Sequence, residues 1–146
     1  MKNLRIRVGL LLFQNEAVLL VKHRKTDREY WLPPGGGVEF GETLCAALKR
    51  EVLEECSVVI EPGDLAFTCE TIGGEGRHIV HMFFHGRLVS GTPAPGQEHI
   101  LADVRFVPLC ELSTITVYPR VTDKIIMLAK TKAVTPFHIS GNLWED

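Results

Sequence analysis

A proline- and glycine-rich segment in the first third of the chain constrains the fold more than any other feature. Residues 33–37 are two prolines, which bar a helix, followed by three glycines, which permit close backbone approaches that other residues resist. Before it, residues 4–13 and 17–22 are rich in β-forming side chains and are separated by a polar tripeptide, which predicts a β-hairpin. From about Thr43 to Cys56 the apolar residues follow the helical period instead. We therefore expect a β-ribbon, a glycine turn and a helix, in this order.

The rest of the chain continues with strands and ends with a second helix. Further strand-like runs lie at residues 64–71, 78–89 and 103–108. An amphipathic helix is expected from near Pro119 to Ala129, and the tail from Pro136 to Asp146 matches no element. With no repeat or composition break, the 146 residues fit one domain of ordinary size. The order β-β-α-β-β-β-α predicts a single α+β domain over residues 1–146.

Composition and charge exclude several classes of protein. Sixteen Lys and Arg stand against eighteen Asp and Glu, so the chain lacks the strong positive field that gathers nucleic acid or anionic membranes. The four cysteines form no C-x-x-C pair, and buried free thiols are the expected outcome. No apolar stretch approaches the ~18 residues of a membrane span, and the apolar N-terminal run lacks a cleavage site. A cytoplasmic, reduced protein is expected.

The predicted helix concentrates negative charge in one place. Its apolar stripe consists of Leu44, Cys45, Leu48, Val52 and Cys56. Glu51, Glu54 and Glu55 fill an arc of about 100° that overlaps the edge of this stripe. Clustered carboxylates are hard oxygen ligands that suit Mg²⁺, Mn²⁺ or Ca²⁺ better than zinc. The alternative is an ordinary solvated helix surface, neutralised by Lys49 and Arg50.

The glycine turn and the helix together resemble the Nudix box, G-x5-E-x7-R-E-U-x-E-E-x-G-U, where U is aliphatic. The matching positions are Gly36, Glu42, Arg50, Glu51, Val52, Glu54, Glu55 and Val58. The one departure is Ser57, which stands where the box has glycine. The segment 31–35 and the strand order are also similar to the MutT-like Nudix fold, an α/β/α sandwich. That fold implies a mixed β-sheet with the box helix and a C-terminal helix.

The resemblance implies a divalent-metal-dependent hydrolase that cleaves a phosphoanhydride bond in a nucleoside diphosphate linked to another moiety. Mg²⁺ or Mn²⁺ suits this reaction because the cation screens the diphosphate charge and lowers the pKa of water. Transferred onto this sequence, the family's metal ligands are Glu51, Glu54, Glu55 and the carbonyl of Gly35. Glu54, Glu55 and Arg50 are the candidate catalytic residues, with Arg50 orienting a glutamate by an ion pair. Gly36 and Glu42 would support the site.

The serine at position 57 leads to a specific expectation about the end of the predicted helix. The box glycine follows the helix and fits the left-handed conformation, which costs an L-residue about 1–2 kcal/mol. We expect Ser57 to alter the end of the helix or to lower stability, without removing a charged ligand.

Two classes of function remain open at this point. One is an active hydrolase; the other is a non-catalytic nucleotide-sensing or regulatory module on the same fold. The presence of all three box carboxylates favours the enzyme, since a sensor has no catalytic need for them. An RNA-directed member is disfavoured by the net charge. The expected partner is a small-molecule nucleoside diphosphate derivative, not nucleic acid or a membrane, and a homodimer is a further candidate.

Residues outside the box are less informative. Similarity to other Nudix enzymes makes Glu98 a candidate general base or metal ligand, with a solvated loop glutamate as the alternative. The basic run 22–25 and Arg28 predict a solvated hairpin end that could instead hold a terminal phosphate. His81 and His85 should share one strand face and His78 the other, which excludes a three-histidine site on a regular strand. Substrate choice is expected to lie in residues 23–30, 72–77 and 91–101.

Overall fold

The computed structural model describes residues 3–131, so the tail from Pro136 to Asp146 lies outside the described part of the chain. The strands are β1 (Asn3–Leu11), β2 (Phe13–Gln14), β3 (Ala17–Lys25), β4 (Arg28–Leu32), β5 (Gly35–Gly37), β6 (Val59–Ile72), β7 (Arg77–Ser90) and β8 (Leu101–Pro108). The helices are α1 (Leu44–Cys56) and α2 (Thr122–Lys130).

The strands are distributed over two sheets. In the first sheet the order is β5-β1-β7-β6; β1 and β7 are parallel and the other neighbours are antiparallel, so this sheet is mixed. In the second sheet β3 pairs antiparallel with β2, β4 and β8. The predicted α+β class is confirmed, with two sheets where the sequence suggested one.

Two hydrophobic clusters place the helices on opposite sides of the strands. Leu19 and Val21 of β3 belong to a buried cluster with Leu48 of α1. Leu20, between them, belongs to a second cluster with Ile125 of α2. Because successive side chains of a strand point to opposite faces, β3 contributes to both clusters. This is the α/β/α arrangement predicted from the box resemblance.

The first predicted hairpin is formed only at its tip. Phe13 and Gln14 pair with Val18 and Ala17, but β1 leaves this ribbon and pairs with β5 and β7 instead. Asn15 has a positive φ of 50° and its neighbour Glu16 one of 58°. These angles suit the tight turns that join antiparallel strands. The prediction of one long hairpin from residues 4–13 and 17–22 was therefore wrong.

One short strand precedes the segment predicted as a turn, and a second lies within it. Residues 28–32 pair with β3, and Gly35–Gly37 pair with Arg7–Gly9 of β1. A Cβ at Gly35 would overlap the carbonyl of Val8, so the pairing requires a glycine there. The glycines therefore allow the backbone of this segment to pair closely with β1, in addition to forming a turn.

Helix α1 begins and ends as its sequence indicates. Thr43 Oγ1 accepts a hydrogen bond from Ala46 N at 3.1 Å and caps the first turn. Ser57 follows the helix with φ 60° and ψ 28°, the left-handed conformation for which the box uses glycine. The predicted apolar stripe is wrong at Cys45, which is exposed, whereas Leu48 and Val52 are buried. Cys110 is also exposed and Cys69 is half-buried, so the expectation of buried thiols is confirmed for Cys56 alone.

The later elements differ from prediction mainly at their starts. β6 begins at Val59, before Pro62. The strand continues through the proline because the register with β7 shifts between Pro62 and Leu65. α2 begins at Thr122, not near Pro119, because Trp31 of β4 exchanges backbone hydrogen bonds with Thr116 and Tyr118 and keeps that segment extended. In the described residues, neither helix is long and apolar enough to cross a membrane.

Candidate active site

The three glutamates predicted as ligands lie on one face of α1 that runs from the core into solvent. The Glu55 side chain is 4% exposed, that of Glu51 is 16% exposed and that of Glu54 is 51% exposed. The spacing therefore places the three side chains on one face of the helix, but each has a different environment. A buried charge needs compensating partners, so Glu55 and Glu51 depend most on the groups around them.

The glycine turn holds Glu55 in place. Gly35 N donates a hydrogen bond to Glu55 Oε1 at 2.7 Å. Glu55 Oε2 lies 3.5 Å from Nε2 of His23, whose side chain is also buried. Because Gly35 pairs with Gly9 of β1, the first sheet fixes the backbone donor that positions this carboxylate.

Arg50 connects the loop before α1 to Glu51. Its Nε and Nη2 donate to the two carboxylate oxygens of Glu42 at 2.6 and 2.8 Å, and its Nη1 donates to Glu51 Oε1 at 2.8 Å. Glu39 N also donates to Glu42 at 2.9 Å. The hydrogen bond from Arg50 is the main reason why the pKa of Glu42 falls to about 2. Glu42 and Arg50 thus have the geometry of the supporting and orienting roles that the resemblance implied.

Gly36 makes room for Glu51. A Cβ at this position would overlap the Glu51 carboxyl group, so the side chain lies directly against the glycine backbone. Burial raises the pKa of Glu51 above its usual value, the hydrogen bond from Arg50 opposes that rise, and the charges of Glu55 and Glu54 add to it. Burial therefore outweighs the stabilisation that Arg50 gives the Glu51 carboxylate.

His23 is the residue that the sequence interpretation missed. It lies in the basic run predicted as a solvated hairpin end, yet it is only 7% exposed and faces Glu55. The signal was the alternation of β3: Leu19 and Val21 face α1, and His23 is the next residue on the same face. Its Nε2 is buried and has no hydrogen-bond partner among the side chains and backbone that the structure describes.

Glu98 lies in an exposed segment that runs past the C-terminal part of α1. Gly96 N donates to the carbonyl of Glu55 at 3.0 Å, and Leu101 pairs with His23 on β3. The backbone on both sides of Glu98 is therefore anchored to residues of the candidate site. This position is compatible with the predicted role of Glu98, which stays a prediction.

A cavity of about 260 Å³ lies beside the glycine turn. Gly9, the strand partner of Gly35, and Pro33 contribute to its lining. Its apolar walls include Leu32, Ile79 and Phe83, and its polar groups include Arg7, Arg77 and His81. Of the segments expected to choose the substrate, 72–77 borders this cavity and 91–101 contacts α1. Gly9 in the cavity wall pairs with Gly35, whose N–H donates to Glu55, and this pairing connects the cavity to α1.

Two histidines of β7 each have a hydrogen-bonding neighbour. His81 Nε2 is 3.0 Å from Thr71 Oγ1, and His78 Nε2 is 2.9 Å from Glu70 Oε1. Burial, with a smaller contribution from the charge of Arg7, lowers the pKa of His81 to about 4. His81 is therefore neutral over the ordinary pH range and lines the cavity as an uncharged hydrogen-bonding group.

The carboxylates of α1 fit a hard divalent cation in residue type and in charge. In the present side-chain arrangement Arg50 Nη1 bridges Glu51 Oε1 at 2.8 Å and Glu54 Oε2 at 3.5 Å. Among residues 3–131, no group of three or more His, Cys, Asp and Glu side chains is gathered as a metal site. The raised pKa of Glu51 shows that Arg50 does not fully compensate its burial, and Nε2 of His23 is buried without a hydrogen-bond partner among the described residues. Oxygen donors of this kind are those that Mg²⁺ and Mn²⁺ prefer.

Comparison with known proteins identifies the class to which this fold and this site belong. The family model of the NUDIX domain matches residues 3–128. The chain therefore belongs to the Nudix family of hydrolases, as its box predicted. Among solved structures, a NUDIX hydrolase from Nitrosomonas europaea has a TM-score of 0.76 at 22% identity, over 86% of this chain and 87% of that one. This likeness confirms the fold.

Two relatives are more similar in sequence over shorter segments. An RNA pyrophosphohydrolase from Wolbachia pipientis subsp. Culex pipiens (strain wPip) is 41% identical over 54 residues, which are 37% of this chain and 33% of that protein. The 8-oxo-dGDP phosphatase NUDT18 of Homo sapiens is 39% identical over 59 residues, 40% of this chain and 18% of that protein. Each match thus spans a third or less of the relative's length.

Proposed function

We propose that the chain is an active, divalent-metal-dependent hydrolase that cleaves a phosphoanhydride bond in a nucleoside diphosphate linked to another moiety. One observation carries the proposal. The face of α1 with Glu51, Glu54 and Glu55 adjoins, through Gly35 and its partner Gly9, a cavity that can receive an organic group. Such an arrangement suits a substrate with a charged diphosphate and a less polar nucleoside.

Mg²⁺ or Mn²⁺ is the proposed cofactor. Glu51, Glu54, Glu55 and the carbonyl of Gly35 would hold it. When bound, it would neutralise part of the diphosphate charge and lower the pKa of water at the scissile bond.

The chain's own residues keep these ligands oriented. Glu42 binds Arg50 through two hydrogen bonds, which limits the positions that the guanidinium can take. Arg50 in turn holds Glu51 against Gly36. A reaction that needs several charges within a small volume gains from such prior orientation, because the groups need not be ordered during the reaction.

Glu98 is the proposed acceptor of the proton from the attacking water. Its segment is tied to the end of α1 by Gly96 and to β3 by Leu101. An exposed carboxylate at this place can move toward the reacting atoms when substrate binds, as general bases in substrate-free enzymes often must.

The organic part of the substrate is proposed to occupy the cavity between β1, β7 and the end of β4. Phe83 and Ile79 offer apolar surface, and the neutral His81 offers a hydrogen-bonding group. The names of the two sequence relatives indicate different substrates, a pyrophosphorylated RNA and 8-oxo-dGDP. Both contain a nucleotide, which supports a nucleotide derivative here without selecting one.

A substrate panel tests the proposal. Nucleoside triphosphates, sugar nucleotides, ADP-ribose, dinucleoside polyphosphates and coenzyme derivatives would be incubated with Mg²⁺, and released phosphate or monophosphate would be measured. Turnover of at least one substrate, abolished in a Glu54→Gln variant, is the expected result. Binding of a nucleotide without turnover of any substrate would replace the hydrolase by the nucleotide-sensing module.

A further inference from the structure

The basic residues at the end of the β3–β4 hairpin divide into two groups on opposite faces. On one face, Lys22 Nζ lies 2.7 Å from Glu29 Oε2, and Arg24 Nε bonds the other oxygen of the same carboxylate. These two cations share a carboxylate and so are partly neutralised. On the other face lie Lys25 and Arg28, which are strand partners across the turn. The alternation of side chains along the two strands produces this separation.

Lys25 and Arg28 lie over aromatic rings and not beside carboxylates. Lys25 Nζ is 5.7 Å and Arg28 Cζ 5.5 Å from the centre of the Tyr30 ring, and Arg28 Cζ is 6.0 Å from that of Tyr118. The two tyrosine rings contact each other edge-on at 5.3 Å. Among the side chains of residues 3–74 and 76–131, neither cation takes part in an ion pair of 4.0 Å or less. The aromatic rings stabilise both cations by cation–π interactions, and each cation can still bind an anion.

The face with Lys25 and Arg28 is the face that looks toward the candidate site. The Tyr30 ring contacts His23 at 5.6 Å, and His23 Nε2 lies 3.5 Å from Glu55 Oε2. Tyr118, under Arg28, also lines the cavity beside the glycine turn. The two cations therefore lie on the same hairpin face as His23 and Tyr30, two residues nearer the turn.

We propose that Lys25 and Arg28 bind a phosphate group beyond the diphosphate that interacts with α1, so that the enzyme favours substrates with three or more consecutive phosphates. This inference rests on the proposed function and names the substrate class within it. The guanidinium of Arg28 can form paired hydrogen bonds with a phosphate, and its stacking on two rings reduces the freedom that binding would remove. Glu29 leaves Lys22 and Arg24 less suited to the same task.

A binding experiment that needs no turnover separates this inference from the hydrolase proposal. Isothermal titration calorimetry with Mg²⁺ would compare inorganic tripolyphosphate with pyrophosphate for the wild type, Lys25→Gln and Arg28→Gln. Each variant is expected to bind tripolyphosphate ~10-fold more weakly, as for the loss of one charge-assisted contact, with pyrophosphate affinity unchanged. Arg24→Gln is the matched control, because it removes the same charge from the same hairpin on the opposite face.

Each outcome of the calorimetry either supports or overturns the proposed phosphate site at Lys25 and Arg28. Equal tripolyphosphate affinity in the wild type and both variants, an equal loss for pyrophosphate, or an equal loss in Arg24→Gln would overturn the inference. Arg28→Lys keeps the charge and should recover part of the affinity, which guards against a folding defect in Arg28→Gln. A chain that binds tripolyphosphate through Arg28 but hydrolyses nothing would leave this inference intact and remove the hydrolase proposal.

Kinetics then identify the source of the phosphate chain. With a nucleoside triphosphate that the wild type hydrolyses, Arg28→Gln should raise KM ~10-fold and leave kcat unchanged, because the contact is made equally in the ground and transition states. The corresponding diphosphate should show no change in KM. A 5′-triphosphorylated oligoribonucleotide in parallel distinguishes a free nucleotide from an RNA end. A fall in kcat alone would contradict a binding role.

Discussion

At the scale of single residues, neighbouring glutamates of one helix differ because their surroundings differ. Glu55 is enclosed by Gly35 and His23, whereas the Glu54 side chain, one residue earlier, is half exposed and lies 3.5 Å from Arg50 Nη1. The sequence places both residues on the same arc of the helix, but it does not show which of the two side chains the strands will bury. That difference has consequences for substitution.

We expect Glu54→Gln and Glu55→Gln each to lower kcat by at least ~10²-fold, because each removes a charge from the proposed metal site. Glutamine keeps an oxygen that can accept the Gly35 hydrogen bond, so Glu55→Gln should still fold. Glu61→Gln is the control, because Glu61 is an exposed glutamate paired with Lys49 on the outer surface. Turnover at the wild-type rate in both site variants, with circular dichroism unchanged, would refute the assigned roles.

Ser57→Gly should stabilise the protein by a few tenths to about 1 kcal/mol, because glycine adopts the left-handed conformation without the steric cost that serine bears. The observed φ of 60° meets the condition for this gain. Chemical denaturation measures the change in the free energy of unfolding. Ser57→Ala, which removes the hydroxyl but keeps Cβ, should not share the gain; an equal gain in both variants would locate its origin elsewhere.

Glu98→Gln distinguishes the roles proposed for the loop glutamate. Loss of a general base lowers kcat at saturating metal and removes the acidic limb of the pH profile. Loss of a metal ligand is instead recovered in part by raising Mg²⁺. We expect the first result. A pH profile and metal dependence identical to those of the wild type would return Glu98 to the role of a solvated loop residue.

At the scale of elements, the ion pair between Glu42 and Arg50 connects the loop after β5 to α1. The pKa of Glu42 is lowered from 4.5 to about 2. Between these two pH values the carboxylate is therefore charged and paired in the folded state, whereas in an unfolded chain it would be mostly protonated. The wild type should therefore melt at a higher temperature than Glu42→Gln at neutral pH. This advantage should persist down to about the ordinary glutamate pKa and then fall as the pH approaches 2.

Melting temperatures measured from neutral pH downward check this prediction. In an Arg50→Gln background the same Glu42→Gln change should have little effect, because the partner is absent. An advantage that is constant from neutral pH to pH 2 would show that Glu42 acts through contacts other than its charge.

Elements with a strong period could be predicted, and those formed by distant pairing could not. α1 was predictable because Leu48 and Val52 repeat with the helical period and Thr43 caps the first turn. β5 was not, because a run of three glycines carries no strand pattern; only its pairing with Arg7–Gly9 makes it a strand. Cys45 was placed in the core because its angle on the helix fits the stripe, but burial depends on the packing of distant elements, and the fold leaves this side chain exposed.

At the scale of the whole molecule, the candidate site combines what is local in sequence with what is not. Gly36, Glu42 and Arg50 could be predicted because the box fixes their spacing within one short segment. His23 could not be assigned to the site without β3 and α1 in their relative positions. The same holds for the cavity, whose lining comes from segments far apart in the chain, such as Arg7, Thr71 and Tyr118.

Metal binding should therefore be measurable as a property of the whole fold. A ligand that binds only the folded chain stabilises it by about 2.7 kcal/mol at a hundredfold excess over Kd, so Mg²⁺ or Mn²⁺ should raise the melting temperature. EDTA should reverse this rise and abolish hydrolysis. The rise should be smaller in Glu51→Gln, because the assembled site loses one of its charged donors, and unchanged in Glu61→Gln, whose carboxylate is on the outer surface. If neither cation changes the melting temperature and activity survives exhaustive EDTA treatment, the carboxylates of α1 are not a metal site and the reaction requires another explanation.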